Sequence, residues 1–240
     1  LDPYTVPALE ECLIAGLLCN DAHLEQKDGQ WGVVGDPTEG ALIAAARKAG
    51  LDGLQLNQAM PRLDTIPFES EFQFMATLHQ LDSQAWGVAH NEGVWSSPLF
   101  PTPYGIYLKG SVETVLNRCR QMVDAWGNLT PLDRKLIAAE VERMAKQGLR
   151  VLAFAKKPVT PKQRSQTMSL SHEDVETNLI FIGLQGMIDP PRTEAIAAVN
   201  ACQSAGIQVK MITGDHITTA RAIAQRIGLQ KDGQVLAFSG

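Results

Sequence analysis

The sequence has no apolar run that approaches the length of a membrane span, and no signal peptide is visible. Its four cysteines, Cys12, Cys19, Cys119 and Cys202, are scattered and include no CxxC pair. Such usage favours reduced, mostly buried thiols of a cytosolic protein over a disulfide framework. Basic residues are also in the minority, 21 Lys and Arg against 26 Asp and Glu, which argues against general nucleic-acid binding.

What is present is the composition of a soluble, folded protein. The chain has 240 residues, of which 45% are hydrophobic and 20% are charged, enough for one large domain or two small ones. It starts at Leu1 without an initiator methionine, so we expect a piece of a longer protein.

One stretch combines a strand, a single lysine and the start of a helix. Residues 106–108 are β-prone, Lys109 and Gly110 follow, and Ser111 precedes a helical pattern expected over 114–120. Ser111 is a suitable N-cap, and Gly110 lets the backbone turn and a ligand approach. A lysine at a strand end beside a helix N-terminus can meet a phosphate, although such a lysine is more often simply solvated.

Three further side chains allow both a structural and a ligand-binding interpretation. Asp36 and Glu39 flank a predicted helix start, with Thr38 as the expected cap, so their charges either stabilise the helix dipole or face a ligand. Phe68 follows a proline at an expected turn, just before the alternating strand pattern that begins at Phe72. Its ring either covers the core or stacks on a purine base.

The rest of the first 186 residues follows helical and strand periodicities. In the strand expected over 149–155, Arg150 faces away from Val151, so it meets either an anion or water. Residues 50–64 are predicted as a polar connection. The other elements expected here are helices over 7–18, 41–49 and 132–147, the last capped by Thr130, a hairpin turning at Asp28-Gly29, and strands over 84–88 and 179–186.

The composition changes after residue 186. The run Asp189-Pro190-Pro191-Arg192 predicts a rigid linker, because two prolines fix φ and restrict what precedes them. A helix over 193–205, a strand over 207–212 and a helix over 216–227 then predict the beginning of a doubly wound α/β unit. Thr213, Gly214 and Asp215 would lie at the carboxyl end of that strand, where such folds bind ligands such as phosphate.

Taken together, the chain resembles the P-type cation-transporting ATPases. The resemblance rests on segments that follow the family's order and spacing across nearly the whole chain, namely GDPTEGAL at 35–42, PFESEFQFM at 67–75, KGSVE at 109–113, GLRVLAFA at 148–155, GMIDPPR at 186–192 and MITGDHITTARAIA at 211–224. The family's phosphorylated Asp, in an Asp-Lys-Thr-Gly-Thr signature, and its Gly-Asp-Gly-x-Asn-Asp magnesium segment do not occur in this sequence.

The resemblance implies an α/β protein with two parts. Residues 1–186 would form the nucleotide-binding (N) domain, an antiparallel sheet flanked by helices, and residues 187–240 a hinge and a partial phosphorylation (P) domain, doubly wound α/β. Because that second part lacks a strand to complete its sheet, we expect an exposed apolar edge through which two copies could pair as a dimer.

The resemblance also assigns roles to particular residues. Phe68 would stack on adenine, Glu39 would hold the adenine side, Lys109 and Gly110 would line the pocket, and Arg150 would reach the phosphates. Nearby positions would be Asp36, Met75 and Leu152. In the second part Thr213, Gly214 and Asp215 would hold the transferring phosphoryl group, and Arg192 would belong to the hinge and meet nucleotide. No catalytic Asp and no metal ligand is assigned here.

The function implied is that of a cytoplasmic domain of an integral membrane pump. It would hold ATP, with Mg²⁺, over an Asp carried elsewhere, and its partners would be the remaining P, actuator and transmembrane domains. Gln73 stands where the family usually has Lys, which leaves a docking domain with weak or no ATP binding as an alternative. A free-standing phosphatase of the haloacid-dehalogenase type is a third interpretation. The transported ion is not encoded in these residues.

Overall fold

A buried helix and the sheet beneath it dominate the first half of the chain. In the computed structural model, the described residues are 6–27, 29–81, 102–160, 169–188, 191–214, 217–230 and 234–238. The predicted strand over 84–88 lies outside them. The first helix, α1 (Pro7–Leu18), has its proline in the first turn, where the missing N–H costs nothing, and is buried along most of its length.

The described residues form seven α-helices and nine strands, most of them at the predicted positions. Besides α1, the helices are α2 (Pro37–Lys48), α3 (Gly53–Ala59), α4 (Val112–Arg118), α5 (Arg134–Ala145), α6 (Thr193–Ser204) and α7 (Ile217–Arg226), with a 3₁₀ turn at His172–Val175. The strands are β1 (His23–Lys27), β2 (Gln30–Val34), β3 (Arg62–Glu69), β4 (Phe74–Gln80), β5 (Tyr104–Gly110), β6 (Cys119–Val123), β7 (Leu129–Pro131), β8 (Arg150–Val159) and β9 (Leu179–Met187).

The strands form a two-stranded hairpin and a seven-stranded sheet, and the expected α/β fold is confirmed. The hairpin pairs β1 with β2 antiparallel, as predicted from its turn. The large sheet has the order β3-β4-β5-β8-β9-β6-β7. The pairs β3–β4, β4–β5, β5–β8 and β6–β7 are antiparallel, whereas β6 and β9 run parallel, so the sheet is mixed rather than purely antiparallel.

Several local predictions were wrong, and each failed for a nearby physical reason. Asp36, not Thr38, caps α2, because its carboxylate accepts from the Thr38 and Glu39 amides. Thr130 caps no helix, since it pairs with Met122 in the β6–β7 hairpin. The polar connection contains α3, and the strand expected from Phe72 begins two residues later because residues 70–73 make the turn. Phe68 lies within β3 rather than at a turn.

Contacts divide the chain into two compact units, one of residues 1–134 and 152–185 and one of 135–151 and 186–240. The predicted boundary at 186 stays a prediction. In the second unit the predicted strand over 207–212 is absent: these residues have no strand conformation, and Ile212 is 98% exposed. A strand is stabilised by a hydrogen-bonded neighbour, and no described segment of this unit pairs with it.

Within the described residues, no helix is both long enough and apolar enough to cross a membrane. The same residues contain no cluster of three or more His, Cys, Asp or Glu side chains that could hold a metal ion.

Candidate functional site

The site is built around the first turn of α2, where the chain turns from the β1–β2 hairpin into the helix. Asp36 caps this helix, its Oδ1 accepting from Thr38 N at 2.7 Å and from Glu39 N at 3.3 Å. Pro37 occupies the first helical position, where its lack of an N–H costs nothing. The cap fixes the direction in which Glu39 leaves the helix, back toward the end of α1.

Three groups hold the Glu39 carboxylate. Its Oε2 accepts from the backbone N–H groups of Asp21 and Ala22, each at 3.0 Å. Its Oε1 accepts from the ammonium of Lys109. The helix that carries it is also tied to α1, because Asn20 Nδ2 donates to Glu39 O at 3.0 Å and to Gly16 O at 2.9 Å. Glu39 is therefore a fixed carboxylate rather than a solvated one.

Lys109 is buried, in contrast to the solvated lysine that is usual at a strand end. Only 5% of the residue is exposed, and its Nζ donates to Cys19 O at 2.5 Å as well as to Glu39. On the sheet it lies opposite Met75 of β4 and Phe154 of β8, both buried. The carboxylate and the carbonyl compensate for the desolvation of its charge.

Gly110 and Gln73 meet where β4 begins and β5 ends. A Cβ on Gly110 would lie 2.5 Å from the Gln73 carbonyl oxygen, so this position requires glycine because of a close backbone approach. Gln73 has a φ of 55°, in the left-handed region. Ser111 N donates to Gln73 O at 3.0 Å, and Ser111 Oγ donates to Gln73 Oε1 at 3.2 Å. The expected Ser111 cap of α4 is confirmed, accepting from Thr114 N.

Phe68 of β3 has an aromatic ring that is exposed to solvent. It lies between the Ile66–Ala76 and Glu69–Phe74 pairs, where the β3–β4 register shifts. Such irregularities re-aim side chains, and the Phe68 residue is 57% exposed. On β4, Met75 is the residue between Phe74 and Ala76, which form these two pairs. Lys109 of β5 lies opposite Met75. Phe68, Met75 and Lys109 thus stand on three successive strands.

For the other predicted site residues within the described part of the chain, the structure gives a position and a degree of burial. Leu152 is half-buried on β8, two residues from Phe154. Arg150 is exposed and belongs to the second compact unit. In that unit Arg192, Thr213 and Gly214 are exposed, and Asp215 lies outside the described residues. The roles of all these residues remain predictions.

The sequence analysis missed Arg62, which binds the end of α1. Its Nη2 donates to Leu18 O at 2.9 Å and to Asn20 O at 2.5 Å, and its Nη1 pairs with Asp21 Oδ1 at 2.6 Å. One signal pointed to such a residue: the last turn of α1 contains no basic side chain, so its carbonyls require donors from elsewhere. The sequence does not say which cation supplies them.

Comparison with known proteins identifies the family of the chain. A family model described as "P-type ATPase, cytoplasmic domain N" matches residues 8–194. The chain belongs to this family and contains its cytoplasmic N domain. It is 54% identical to the cation-transporting ATPase pma1 of Synechocystis over 98% of its length, and 41% identical to the probable cation-transporting ATPase F of Mycobacterium tuberculosis over 97%.

A calcium-transporting ATPase of Lactococcus lactis is 37% identical over 95% of the chain. In each of these three alignments the chain spans 23% of the relative's length. The similarity therefore concerns one region of much longer proteins.

Proposed function

We propose that the first compact unit binds ATP for a P-type cation-transporting ATPase. The observations that carry the proposal are the Glu39 carboxylate, fixed by two backbone amides and by Lys109 of β5, and the exposed ring of Phe68 on β3 of the same sheet as Lys109. A carboxylate presents about four acceptor positions, and three of those on Glu39 are filled by Asp21, Ala22 and Lys109. One position on Oε1 remains for a donor such as the exocyclic amine of adenine.

In this proposal Phe68 and Lys109 contact different parts of the nucleotide. Phe68 supplies a flat apolar face on which a base stacks, a contact worth about 1–3 kcal/mol. Lys109 has used two of its three N–H donors on Cys19 O and Glu39, so it offers at most one to the nucleotide. Gln73 adds no positive charge beside them. The phosphate-binding role of Arg150 rests on the family resemblance alone.

The bound triphosphate would serve phosphoryl transfer elsewhere in the protein. An Asp carboxylate attacks the γ-phosphorus, a new P–O bond forms, the bond to the β-phosphate oxygen breaks, and ADP leaves. Mg²⁺ accompanies the ATP, with its main protein ligands outside this sequence. Thr213, Gly214 and Asp215 would hold the transferring group, and Arg192 would act at the hinge. By itself this chain binds ATP without turning it over.

The pump's other domains complete the proposal. The phosphorylation, actuator and transmembrane domains would be the partners of this cytoplasmic region of an integral membrane protein, and nucleic acid would not be a partner. Residues 207–212 form no strand, but Ile207 and Ile212 are exposed and would supply the apolar edge. Pairing of two copies through that edge predicts a concentration-dependent mass in light scattering, and a constant monomer mass would contradict it.

Isothermal calorimetry with ATP tests the nucleotide site. Wild type should bind saturably, and Phe68→Ala should weaken binding at least about fivefold, the lower end of a stacking contact. Trp126→Ala is the matched control, because Trp126 is also an exposed aromatic residue but lies in the β6–β7 turn. Folded wild type that gives no binding heat would favour the docking alternative, and equal loss in both variants would place the site elsewhere.

A further inference from the structure

We propose that Arg62 is a positioning residue for the nucleotide base, acting through residues 19–22 on the Glu39 carboxylate. The inference rests on the proposed function, in which Glu39 accepts a hydrogen bond from adenine. Arg62 itself is not assigned to any ligand contact. Its role follows from a chain of contacts that joins β3 to the end of α1 and from there to the first turn of α2.

The first link is the anchoring of the α1 terminus. A helix leaves its last carbonyls without intrahelical donors, and α1 has no basic side chain in its last turn to meet them. Arg62 spans the gap with three contacts, to Leu18 O, Asn20 O and Asp21 Oδ1. The planar guanidinium makes these bonds in one fixed arrangement, which a flexible lysine ammonium does not reproduce fully.

The second link joins this anchored turn to Glu39. The N–H groups of Asp21 and Ala22 both point at Glu39 Oε2, and Ala22 N also donates to Asn20 Oδ1 at 2.9 Å. Arg62 holds the Asn20 carbonyl and the Asp21 side chain, so it fixes the peptide units that carry these two amides. The orientation of the carboxylate therefore depends on a cation that does not touch it.

The third link is the acceptor position that remains on Oε1. With Oε2 fully occupied and Lys109 on Oε1, the direction of the remaining lone pair is set by how the carboxylate is rotated. If the turn is released, the carboxylate keeps its ion pair but loses its fixed rotation. Loss of Arg62 should then affect recognition of the base amine more than binding of the triphosphate.

The test compares ATP with inosine triphosphate, which carries a carbonyl in place of the adenine amine. A correctly oriented carboxylate accepts from the amine and repels the carbonyl. We expect Arg62→Ala to reduce the wild-type preference for ATP over inosine triphosphate about tenfold, the value of one charge-assisted hydrogen bond. Arg62→Lys should restore part of the preference. Calorimetry gives both affinities, and thermal melts establish that each variant is folded.

Arg134→Ala is the matched control. Arg134 makes the same kind of contact at the end of a different helix, α4, donating to Leu116 O at 2.8 Å and to Asn117 Oδ1 at 3.3 Å. It should leave the preference unchanged. A preference that is unchanged in Arg62→Ala, or that falls equally in Arg134→Ala, would overturn the inference.

A second measurement needs no nucleotide. Hydrogen exchange followed by NMR should show faster exchange at the Asp21 and Ala22 amides in Arg62→Ala than in wild type or Arg134→Ala. Unchanged exchange would overturn the positioning role whatever the nucleotide results. Wild type that binds ATP and inosine triphosphate equally would instead contradict the proposed role of Glu39, so the two failures are distinguishable.

Discussion

Two lysine–glutamate pairs lie against the same face of the large sheet. Lys156 of β8 pairs with Glu11 of α1 at 2.6 Å, with side chains only 1% and 6% exposed, and the same carboxylate oxygen accepts from Tyr107. Lys109 of β5 pairs with Glu39 of α2, with side chains 6% and 15% exposed. The first pair lies under α1, and the second lies at the end of α1.

The difference lies in what else each carboxylate does. Glu11 fixes a helix to the sheet through a tyrosine and a lysine that are both sealed from water. Glu39 is held by backbone amides at a helix end, and one of its acceptor positions remains. The same ionic chemistry is thus a packing element in one pair and a candidate recognition element in the other, although the two lysines lie on neighbouring strands.

The largest effect should follow from breaking the sealed pair. Lys156→Met leaves the Glu11 carboxylate buried without its cation, and we expect a loss of about 3–5 kcal/mol in the free energy of unfolding, measured by urea titration. The double variant Lys156→Met/Glu11→Leu should recover most of that loss, because neither charge then remains.

The control for that experiment is an exposed pair. Lys146→Met breaks the solvent-exposed contact with Glu142 and should cause no measurable loss of stability. If Lys156→Met proved as harmless as Lys146→Met, the sealed pair would not be structural and the contrast between the two buried pairs would fail.

Much of this comparison could not be predicted from the sequence, and the reason is separation along the chain. Local rules gave α1, β9, α6 and the Ser111 cap, because periodicity and capping depend on residues within a few positions. The family resemblance, rather than local rules, implied that Glu39 and Lys109 belong to one site. Neither showed that the two side chains pair with each other, 70 residues apart.

Other failures have the same origin. Thr38 and Asp36 are equally suitable caps by composition, and only the path of the preceding hairpin decides that Asp36 reaches the amides. The strand expected over 207–212 has the right residues but no neighbour among the described segments. Arg62 falls in a stretch predicted as a polar connection, and nothing near it in the sequence shows that the end of α1 lies beside it.

The next effect concerns the histidine beside the sealed pair. Burial, and to a lesser extent the charges of Arg62 and Lys156, lower the pKa of His79 from 6.5 to about 4. Its Nδ1 contacts Met60 O at 2.8 Å, and its Nε2 has no hydrogen-bond partner in the described part of the chain. Protonation of the folded state would therefore put a charge on a buried ring whose Nδ1–H can donate to Met60 O but whose Nε2–H has no acceptor among the described residues.

The sign of the pH dependence follows. Above pH 6.5 the imidazole is neutral in both states, and as pH falls toward 4 only the unfolded state gains a proton, so stability falls by about 3 kcal/mol. Burial and then the charge of Glu11 raise the pKa of Glu10 to about 7. The contribution of Glu10 to stability therefore rises as pH falls, opposite to that of His79. The difference between the pH–stability profiles of wild type and His79→Asn, measured by urea titration, isolates the contribution of the histidine. Parallel profiles would contradict this assignment.

At the end of β5, the stability of the protein should be sensitive to a single methyl group added to Gly110, the glycine that follows Lys109. Gly110→Ala would bring a Cβ against the Gln73 carbonyl, and we expect a loss of about 1–3 kcal/mol in unfolding titrations. Gly32→Ala in β2 is the control, because its Cβ would be 3.9 Å from the nearest atom. Equal stability of the two variants would show that β4 and β5 approach less closely than described.

Among the buried residues, Lys109 should give the smallest loss of stability when it is replaced. Lys109→Met leaves Glu39 with its two amide donors and some access to water, so we expect a loss of about 1–2 kcal/mol, less than for Lys156→Met. Urea titration of both variants under one condition gives the order directly. A larger loss for Lys109→Met would make its pair the structural one.

The most direct test of the central claim is an NMR titration of the wild-type protein with ATP. The account predicts that the amides of Ala22, Glu39 and Phe68 shift with a single saturable dependence on ATP concentration. The amides of the distant β6–β7 turn around Trp126 should stay in place. Saturable shifts confined to that turn, or no saturable shift anywhere, would contradict a nucleotide site at Glu39 and Phe68.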